Sequence, residues 1–217
     1  MITLYHCESA RSFRALWALE ELGLPYDLKM LPFPPRYLKR EYLETNPLGT
    51  VPLLIDGATR MTESAAICEY LAVRYGNGAL AVAPDDADYG AWLNWLHYGE
   101  ATLTFPQTLV LRYSRLEPKD RRLPQAAEDY RIWFTKRTLM LEQALADRTY
   151  LVGGRFTAAD ISVGYAVMLA ELIGLAGDLN PVVRGYFERL SAREAFKRAL
   201  AAQKVGMQAA GIASWLG

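Results

Sequence analysis

The sequence predicts a small α/β domain followed by a larger all-α domain. Three observations predict this: a strand–helix–strand pattern in the first 30 residues or so, a hairpin signal at Asp56-Gly57, and only helical periodicity after residue 88. Between the two parts, residues 76–88 contain Gly-Asn-Gly, a proline and an Asp-Asp pair, which is typical of a linker. The expected divisions are residues 1–77, 78–88 (the linker) and 89–217.

The first domain is expected to begin with a βαβ unit. Residues 2–5 form a short apolar run, Ser12 is suited to cap a helix that Gly23 ends, and residues 26–30 alternate like a strand. Because such a crossover returns the chain in the same direction, the two strands should pair in parallel.

The remaining elements of this domain follow from local signals. We expect a short helix over 37–43, an antiparallel hairpin of 53–55 and 59–61, and a helix over 64–75 that Gly76 stops.

The second domain reads as helix throughout. Residues 89–113 repeat apolar side chains at helical spacing, with a kink expected near Pro106, and Pro124 fits the first turn of a helix reaching about residue 145. Thr157 and Asp160 have the spacing of a capping box. One further helix is expected to start at Pro181, and the last helix is expected to run over 194–202.

The amino-acid composition argues against several classes of function and partner. Lys and Arg total 24 and Asp and Glu total 24, and this balance argues against a nucleic-acid partner. Only Cys7 and Cys68 occur, which excludes a disulfide scaffold and indicates a reducing, cytoplasmic location. The first residues lack the pattern of a signal peptide, and the most apolar window, 161–176, is too short to span a bilayer, so no membrane partner is expected.

The segment from Asn46 to Ile67 carries the strongest functional signal. Pro52 belongs at a strand start or an edge, and a cis Val51-Pro52 bond would leave the Val51 backbone facing a ligand. Glu63 and Ser64 would stand at a helix N-terminus, where unpaired N–H groups and the helix dipole favour a carboxylate. The segment predicts a site for an extended, peptide-like anion.

Together with the strand order, these motifs resemble the cytosolic glutathione S-transferase family, in its bacterial type. The motifs that show this resemblance are Val51-Pro52, Glu63-Ser64 and the run Gly-Arg-Phe-Thr-Ala-Ala-Asp at 154–160. The resemblance covers essentially the whole chain. It implies a thioredoxin-like N-terminal domain, a helical C-terminal domain, and glutathione as cosubstrate without a metal. It also implies a homodimer with a role in detoxification.

The resemblance implies where glutathione binds. The Val51 backbone would pair with the cysteinyl part, and Glu63 and Ser64 would hold the γ-glutamyl end. A cation would hold the glycine carboxylate. Residues assigned to this site are Thr50, Val51, Pro52, Glu63, Ser64 and Lys39, with Arg36 and Arg40 as further cations. Two structural alternatives stay open: Ser64 as a simple helix cap, and the three cations as a solvated helix face.

The family activates the thiol with a hydroxyl or a cysteine in the loop after the first strand. Ser9 precedes Arg14 by five residues, which is similar to the serine classes zeta and tau. Cys7, Ser12 and an arrangement based on the backbone or on Arg11 stay open as alternatives. Ser12 also suits a helix cap, and Cys68 suits a buried structural thiol.

The second substrate would be an apolar electrophile bound against the helical domain. The residues expected to line its pocket are Trp95, Tyr98, Phe105, Leu109 and Tyr113. An aromatic stripe of this kind also suits a core or a dimer interface. His6 and His97 have no spacing that resembles a zinc site and could be surface or packing residues.

Three functions follow, in order of preference. The first is conjugation of glutathione to an electrophile, and the second is glutathione-dependent reduction of peroxides or disulfides, with Cys7 involved. The third is a non-catalytic binding module of the same fold. Replacing Glu63 by Ala separates the third from the others, because only a glutathione-binding protein loses affinity.

Overall fold

The computed structural model describes residues 1–216, which pack as two compact units. The first comprises Met1–Ala81 together with the C-terminal segment that starts at Ser191, and the second comprises Val82–Leu190. The sequence-based division assigned all of 89–217 to the helical domain, whereas packing groups the C-terminal segment with the first unit.

A four-stranded mixed sheet forms the centre of the first unit. Its strands are β1 (Ile2–His6), β2 (Tyr26–Met30), β3 (Leu53–Asp56) and β4 (Thr59–Met61), in the order β2-β1-β3-β4. The β1–β2 pair is parallel and the other two pairs are antiparallel, so the predicted βαβ unit and hairpin are confirmed. Asp56 pairs with Thr59 around a two-residue loop in which Gly57 has φ +58°, a conformation that favours glycine.

Four helices of this unit precede the helical region. They are α1 (Phe13–Leu22), α2 (Pro35–Leu38), α3 (Tyr42–Thr45) and α4 (Ser64–Tyr75). The bounds of α4 confirm the prediction, and α1 ends at Gly23 in the left-handed conformation, as expected. The single helix predicted over 37–43 is wrong: Pro35 starts α2 at its first turn, and the chain leaves helical geometry at Lys39 before α3.

The second unit is built from helices and the loops that join them. Its α-helices are α5 (Tyr89–His97), α6 (Phe105–Leu111), α7 (Pro124–Leu145), α8 (Ala158–Leu172) and α9 (Pro181–Ser191). Two π-helical segments, Tyr98–Thr104 and Arg112–Leu116, extend α5 and α6, and short 3-10 turns occupy Lys119–Arg121 and Ala176–Asp178.

The helical run predicted over 89–113 departs from α geometry before its proline. Pro106 has no N–H and would clash in α geometry with the carbonyl four residues earlier, and the π-helical segment ends two residues before it, at Thr104. At Gly99 within this segment, an added Cβ would lie 2.4 Å from Ser162 Oγ on α8. Glycine there permits the close packing of the two elements.

The C-terminal helix α10 (Glu194–Ala210) is longer than the predicted 194–202. Its packing explains the extension. An added Cβ at Gly206 would lie 2.7 Å from Met30 Cγ, so this glycine, which weakens the helical pattern of the sequence, lets the helix approach β2. At the other end, the Phe196 ring packs edge-on against Trp17 at 4.9 Å. The C-terminal segment is thereby part of the first unit.

None of the helices in residues 1–216 combines the length and hydropathy that crossing a bilayer requires.

Candidate functional site

Three segments of the first unit carry most of the residues that the sequence predicts for glutathione binding and thiol activation. They are the loop between β1 and α1, the segment that precedes β3, and the first turn of α4. An apolar cluster joins the first two, since Cys7 and Ala10 of the loop pack in the same cluster as Tyr42, Leu53 and Val51.

The Val51-Pro52 peptide bond is cis, the isomer that the sequence analysis considered. Val51 precedes β3, which begins at Leu53. Within residues 1–216 no hydrogen bond engages the Val51 backbone N–H or C=O. These groups are therefore available to pair with an extended ligand.

Two residues that the sequence analysis missed shape the segment before Val51. The Asn46 amide and the Tyr42 hydroxyl each donate to the Thr50 carbonyl at 2.9 Å, and Leu48 N–H donates back to Asn46 Oδ1 at 3.2 Å. Asn46 is buried, whereas Thr50 is exposed. The signal that could have found Asn46 is its place ahead of Pro47, because asparagine side chains often bond to the backbone two residues on.

At the start of α4, Glu63 occupies the N-cap position and Ser64 is the first helical residue. Ser64 therefore is not the helix cap, and no side chain caps this helix. The Ser64 hydroxyl is buried and accepts a hydrogen bond from Arg14 Nη1 at 3.1 Å, and Arg14 itself is fully buried.

The hydrogen bond with Arg14 determines whether the Ser64 hydroxyl donates or accepts. A guanidinium has only donors, so Ser64 Oγ is the acceptor and keeps a proton to donate. That proton has no acceptor among the described residues. The helix start thus offers unpaired N–H groups, a hydroxyl donor and a nearby buried cation, while the exposed Glu63 carboxylate lies one residue earlier.

The three candidate cations have different surroundings in the structure. Lys39 is exposed and forms an ion pair with Glu41 at 2.5 Å, and Arg40 is also exposed. Arg36 lies against the segment before Val51, since an added Cβ on Gly49 would be 2.6 Å from Arg36 Cβ.

Both cysteines are poor candidates for a thiolate. Burial raises the pKa of the Cys7 thiol to about 12, and its Sγ donates to the Pro32 carbonyl at 3.6 Å. Cys68 is fully buried in α4, and burial raises its pKa to about 12 as well. Since the thiolate is the nucleophilic form, neither side chain is activated at neutral pH.

Ser12 stands at the N-cap position of α1, but its hydroxyl makes no cap bond. It lies 2.6 Å from His6 Nδ1 instead and accepts from the Cys7 N–H at 3.4 Å. Burial lowers the pKa of His6 to about 4, so the ring is neutral near pH 7. The ring is buried, rather than a surface residue.

Ser9 is held by a residue from the far end of the chain. Its backbone N–H donates to Gln203 Oε1 at 2.7 Å, and its Oγ accepts from Gln203 Nε2 at 3.3 Å. The same Oε1 lies 2.9 Å from His6 Nε2. Since this oxygen only accepts, Nε2 of the ring carries the proton and Nδ1 accepts from Ser12.

Comparisons with known proteins identify the family. The model of the glutathione S-transferase N-terminal domain matches residues 8–74, and that of the C-terminal domain matches residues 139–189. Glutathione S-transferase hmp2 of Hypomyces subiculosus is 30% identical over 93% of this chain and 99% of its own length. The chain belongs to the glutathione S-transferase family. Glutathione S-transferase 3 of Schizosaccharomyces pombe is 29% identical, over 94% of this chain and 88% of its own.

A solved structure with bound glutathione has the same fold. Ure2p in complex with glutathione has a TM-score of 0.79 and 26% identity, covering 92% of this chain and 97% of that chain. The predicted architecture, a thioredoxin-like domain followed by a helical domain, is confirmed. The bacterial type and the serine class stay predictions.

The glutathione S-transferase fold places the predicted electrophile residues along the run from α5 to the second π segment. Trp95 is buried, the Tyr98 hydroxyl donates to the Arg137 carbonyl at 2.8 Å, and Phe105 is 49% exposed. Leu109 and Tyr113 are half-buried. Trp95 and Tyr98 pack edge-on within this unit, so their role in a pocket stays a prediction.

Among residues 1–216, no group of three or more His, Cys, Asp and Glu side chains is arranged to hold a metal ion.

Proposed function

We propose that this family member is a glutathione transferase that activates the thiol of glutathione as a thiolate and conjugates it to an apolar electrophile. One observation carries the proposal. Ser64, at the open N-terminus of α4, is oriented by the buried Arg14 and keeps its proton for an acceptor from outside the described chain. The γ-glutamyl carboxylate of glutathione has the charge and the oxygen atoms that such a site selects.

The rest of glutathione would lie along the segment before β3. The Val51 N–H and C=O would pair with the cysteinyl residue, with Thr50 and Pro52 beside it, and Glu63 would attract the γ-glutamyl amino group. Lys39 is the proposed cation for the glycine carboxylate, with Arg36 and Arg40 as alternatives. The ion pair of Lys39 with Glu41 is exposed and so easily exchanged, and Arg36 is the cation that lies against this segment.

Ser9 is the proposed thiol-activating residue. A free thiol of pKa ~8.5 is mostly protonated at neutral pH, and lowering that pKa by roughly two units takes about 2.7 kcal/mol. A hydroxyl that donates to the sulfur supplies a contribution of that order. The thiol proton leaves to water, and the sulfur lone pair then forms the bond to the electrophilic carbon. At the same time that carbon loses either its bond to a leaving group, which departs with the electron pair, or a π bond, whose electron pair takes up a proton from water.

The geometry of the loop supports Ser9 over its alternatives. The Ser12 hydroxyl is engaged with His6, and the Cys7 thiol is buried with a raised pKa. A peroxidase or disulfide-exchange reaction that uses Cys7 is therefore disfavoured, since it would need an accessible thiolate. An Arg11-based arrangement stays open.

The electrophile would bind against Trp95, Tyr98, Phe105, Leu109 and Tyr113. The exposed ring of Phe105 and the half-buried Leu109 and Tyr113 suit an apolar compound. We further propose a cytoplasmic homodimer that acts in detoxification, as the family resemblance implies. A gel-filtration mass near that of the monomer would contradict the dimer.

Calorimetric titration of glutathione tests the binding site. We expect Ser64→Ala to weaken affinity by about tenfold, since a hydrogen bond to a charged group is lost, and Glu63→Ala to weaken it by a similar factor. Ser114→Ala, an exposed serine of the second unit, is the matched control and should bind as the wild type does. Unchanged affinity in both site variants, or no binding by the wild type, would favour the non-catalytic module.

The chemistry is tested by recording thiolate ultraviolet absorbance of bound glutathione across pH. A lowered thiol pKa in the wild type that returns towards its free value in Ser9→Ala supports Ser9. If the lowered pKa survives this change, another group of the loop, such as Arg11, activates the thiol.

A further inference from the structure

The side chain of Gln203 is a buried amide whose oxygen and nitrogen bond to His6 at the end of β1 and to Ser9 in the loop that follows. It is 6% exposed, and it lies on α10, 194 residues away from Ser9 along the chain. Its Oε1 accepts from the Ser9 N–H at 2.7 Å and from the His6 ring at 2.9 Å, and its Nε2 donates to Ser9 Oγ at 3.3 Å. From this geometry we infer that Gln203 is a positioning residue that orients the Ser9 hydroxyl towards the glutathione thiol.

The orientation of the Gln203 amide group follows from the N–H groups that donate to it. The Ser9 backbone N–H can only donate, so the Gln203 atom that it faces must be the carbonyl oxygen, and the NH₂ group is directed at Ser9 Oγ. The His6 ring then donates to the same oxygen from Nε2. Because the Gln203 N–H donates to Ser9 Oγ, the hydroxyl proton of Ser9 cannot point towards Gln203. The hydroxyl is thereby made a donor on its other side, which is the role that thiolate stabilisation requires.

The amide also fixes the backbone of Ser9. Ser9 has φ +49°, the left-handed region in which residues with a Cβ are uncommon and cost energy. The short bond from its N–H to Gln203 holds this conformation. Ser9 therefore depends on α10 for both its backbone angle and its side-chain direction.

His6 anchors the amide from the opposite side. The bonds run in one direction, from the Cys7 N–H to Ser12, from the Ser12 hydroxyl to His6, and from His6 to Gln203. Because every member of this chain is neutral, it fixes geometry without adding a charge next to the thiolate. The C-terminal segment of the chain thus contributes to a glutathione site whose other proposed residues lie within the first 64 residues.

The inference rests on the proposed function and is tested on Gln203→Glu and Gln203→Leu. Gln203→Glu keeps an acceptor for His6 and for the Ser9 N–H but turns the donor that faces Ser9 Oγ into an acceptor. The Ser9 proton is then drawn towards the new carboxylate and away from sulfur. We expect the pKa of bound glutathione to rise by about one unit or more in both variants.

A double variant and a control separate positioning from general damage. If Gln203 acts through Ser9, the Ser9→Ala and Gln203→Leu changes, neither of which adds a charge, are not additive, and the double variant has the thiol pKa of Ser9→Ala alone. Gln208→Leu alters an exposed glutamine on the same helix and should leave the thiol pKa unchanged. Circular dichroism and thermal melting check the fold; if Gln203→Leu does not fold, the test rests on Gln203→Glu.

The outcomes distinguish the inference from the proposed function. A wild-type thiol pKa in folded Gln203 variants, alongside a raised pKa in Ser9→Ala, overturns the role of Gln203 and leaves the transferase intact. An unchanged thiol pKa in Ser9→Ala overturns the role of Ser9 and, with it, that of Gln203. Absence of glutathione binding by the wild type overturns the proposed function itself.

Discussion

Two buried polar clusters, one in each unit of the protein, differ in their charge and in how far apart along the chain their members lie. In the second unit, the Asp160 carboxylate accepts from the N–H groups of Leu151 and Thr157 at 3.0 and 2.8 Å, and from the hydroxyls of Tyr186 and Thr157 at 2.8 and 3.3 Å. In the first unit, the cluster of His6, Ser9, Ser12 and Gln203 holds no ionised group at neutral pH.

The charged cluster serves to hold its own unit together. Burial raises the pKa of Asp160, and the hydrogen bonds that it accepts oppose that rise. They tie the chain before α8 and the helix α9 to the start of α8, where the predicted capping box is confirmed. An acceptor with several donors is costly to remove, because each donor is left buried and unpaired.

The neutral cluster holds a loop rather than a core. Its bonds converge on the segment from His6 to Ser12, and its members cost less to desolvate than a carboxylate would. The contrast teaches that burial of polar groups by itself does not indicate function. In this protein the cluster to which we assign a function is the one that contacts the loop at the end of β1.

The largest expected effect is on the charged cluster. Asp160→Ala should lower the free energy of unfolding by about 4 kcal/mol, because three residues lose their acceptor. Urea unfolding followed by circular dichroism measures this. Asp147→Ala, an exposed aspartate of the same unit, should change stability by less than about 0.5 kcal/mol. If Asp160→Ala and Asp147→Ala were equally stable, the Asp160 cluster would not stabilise the second unit, and the contrast with the neutral cluster would be lost.

A smaller effect is expected when pH is lowered, and it should arise in the neutral cluster. The pKa of His6 is depressed from 6.5 to about 4, so the unfolded chain binds a proton between these values and the folded chain does not. The contribution of His6 is therefore complete above pH 6.5 and is lost as pH falls towards 4. It amounts to about 3 kcal/mol.

Urea unfolding at a series of pH values measures this contribution. His6→Gln should flatten the pH dependence in this window, whereas His97→Gln, which changes the exposed histidine, should retain it. An identical slope in wild type and His6→Gln would show that other groups control the acid sensitivity.

The smallest effect concerns a second attachment of the same loop to the C-terminal segment. The indole N–H of Trp215 donates to the Glu8 carbonyl at 2.7 Å, and its ring lies 4.7 Å from that of Phe33. Trp215→Phe keeps an aromatic ring there and removes the donor, so we expect a loss of about 1 kcal/mol in thermal or urea unfolding. Since Ser9 keeps its bonds to Gln203, the thiol pKa of bound glutathione should not change. A raised thiol pKa would show that the whole loop, rather than Gln203, sets the direction of Ser9.

The sequence by itself determined the features whose causes lie within a few residues of one another. The hairpin follows from Asp56-Gly57, the start of α8 from Thr157 and Asp160, and the extent of α4 from Ser64 and Gly76. Turn and cap bonds join near neighbours, so local sequence records them. The helix predicted over 37–43 is wrong even at this level, because Pro35 moved its start forward.

The tertiary structure alone decided which distant side chains meet. Arg14 and Ser64 are 50 residues apart, and His6 and Gln203 are 197 apart. No local pattern marks such pairs, since each residue fits many environments in isolation. Their partnership arises when α4 and α10 bury their apolar faces against α1 and the sheet, which fixes the polar side chains that share those faces.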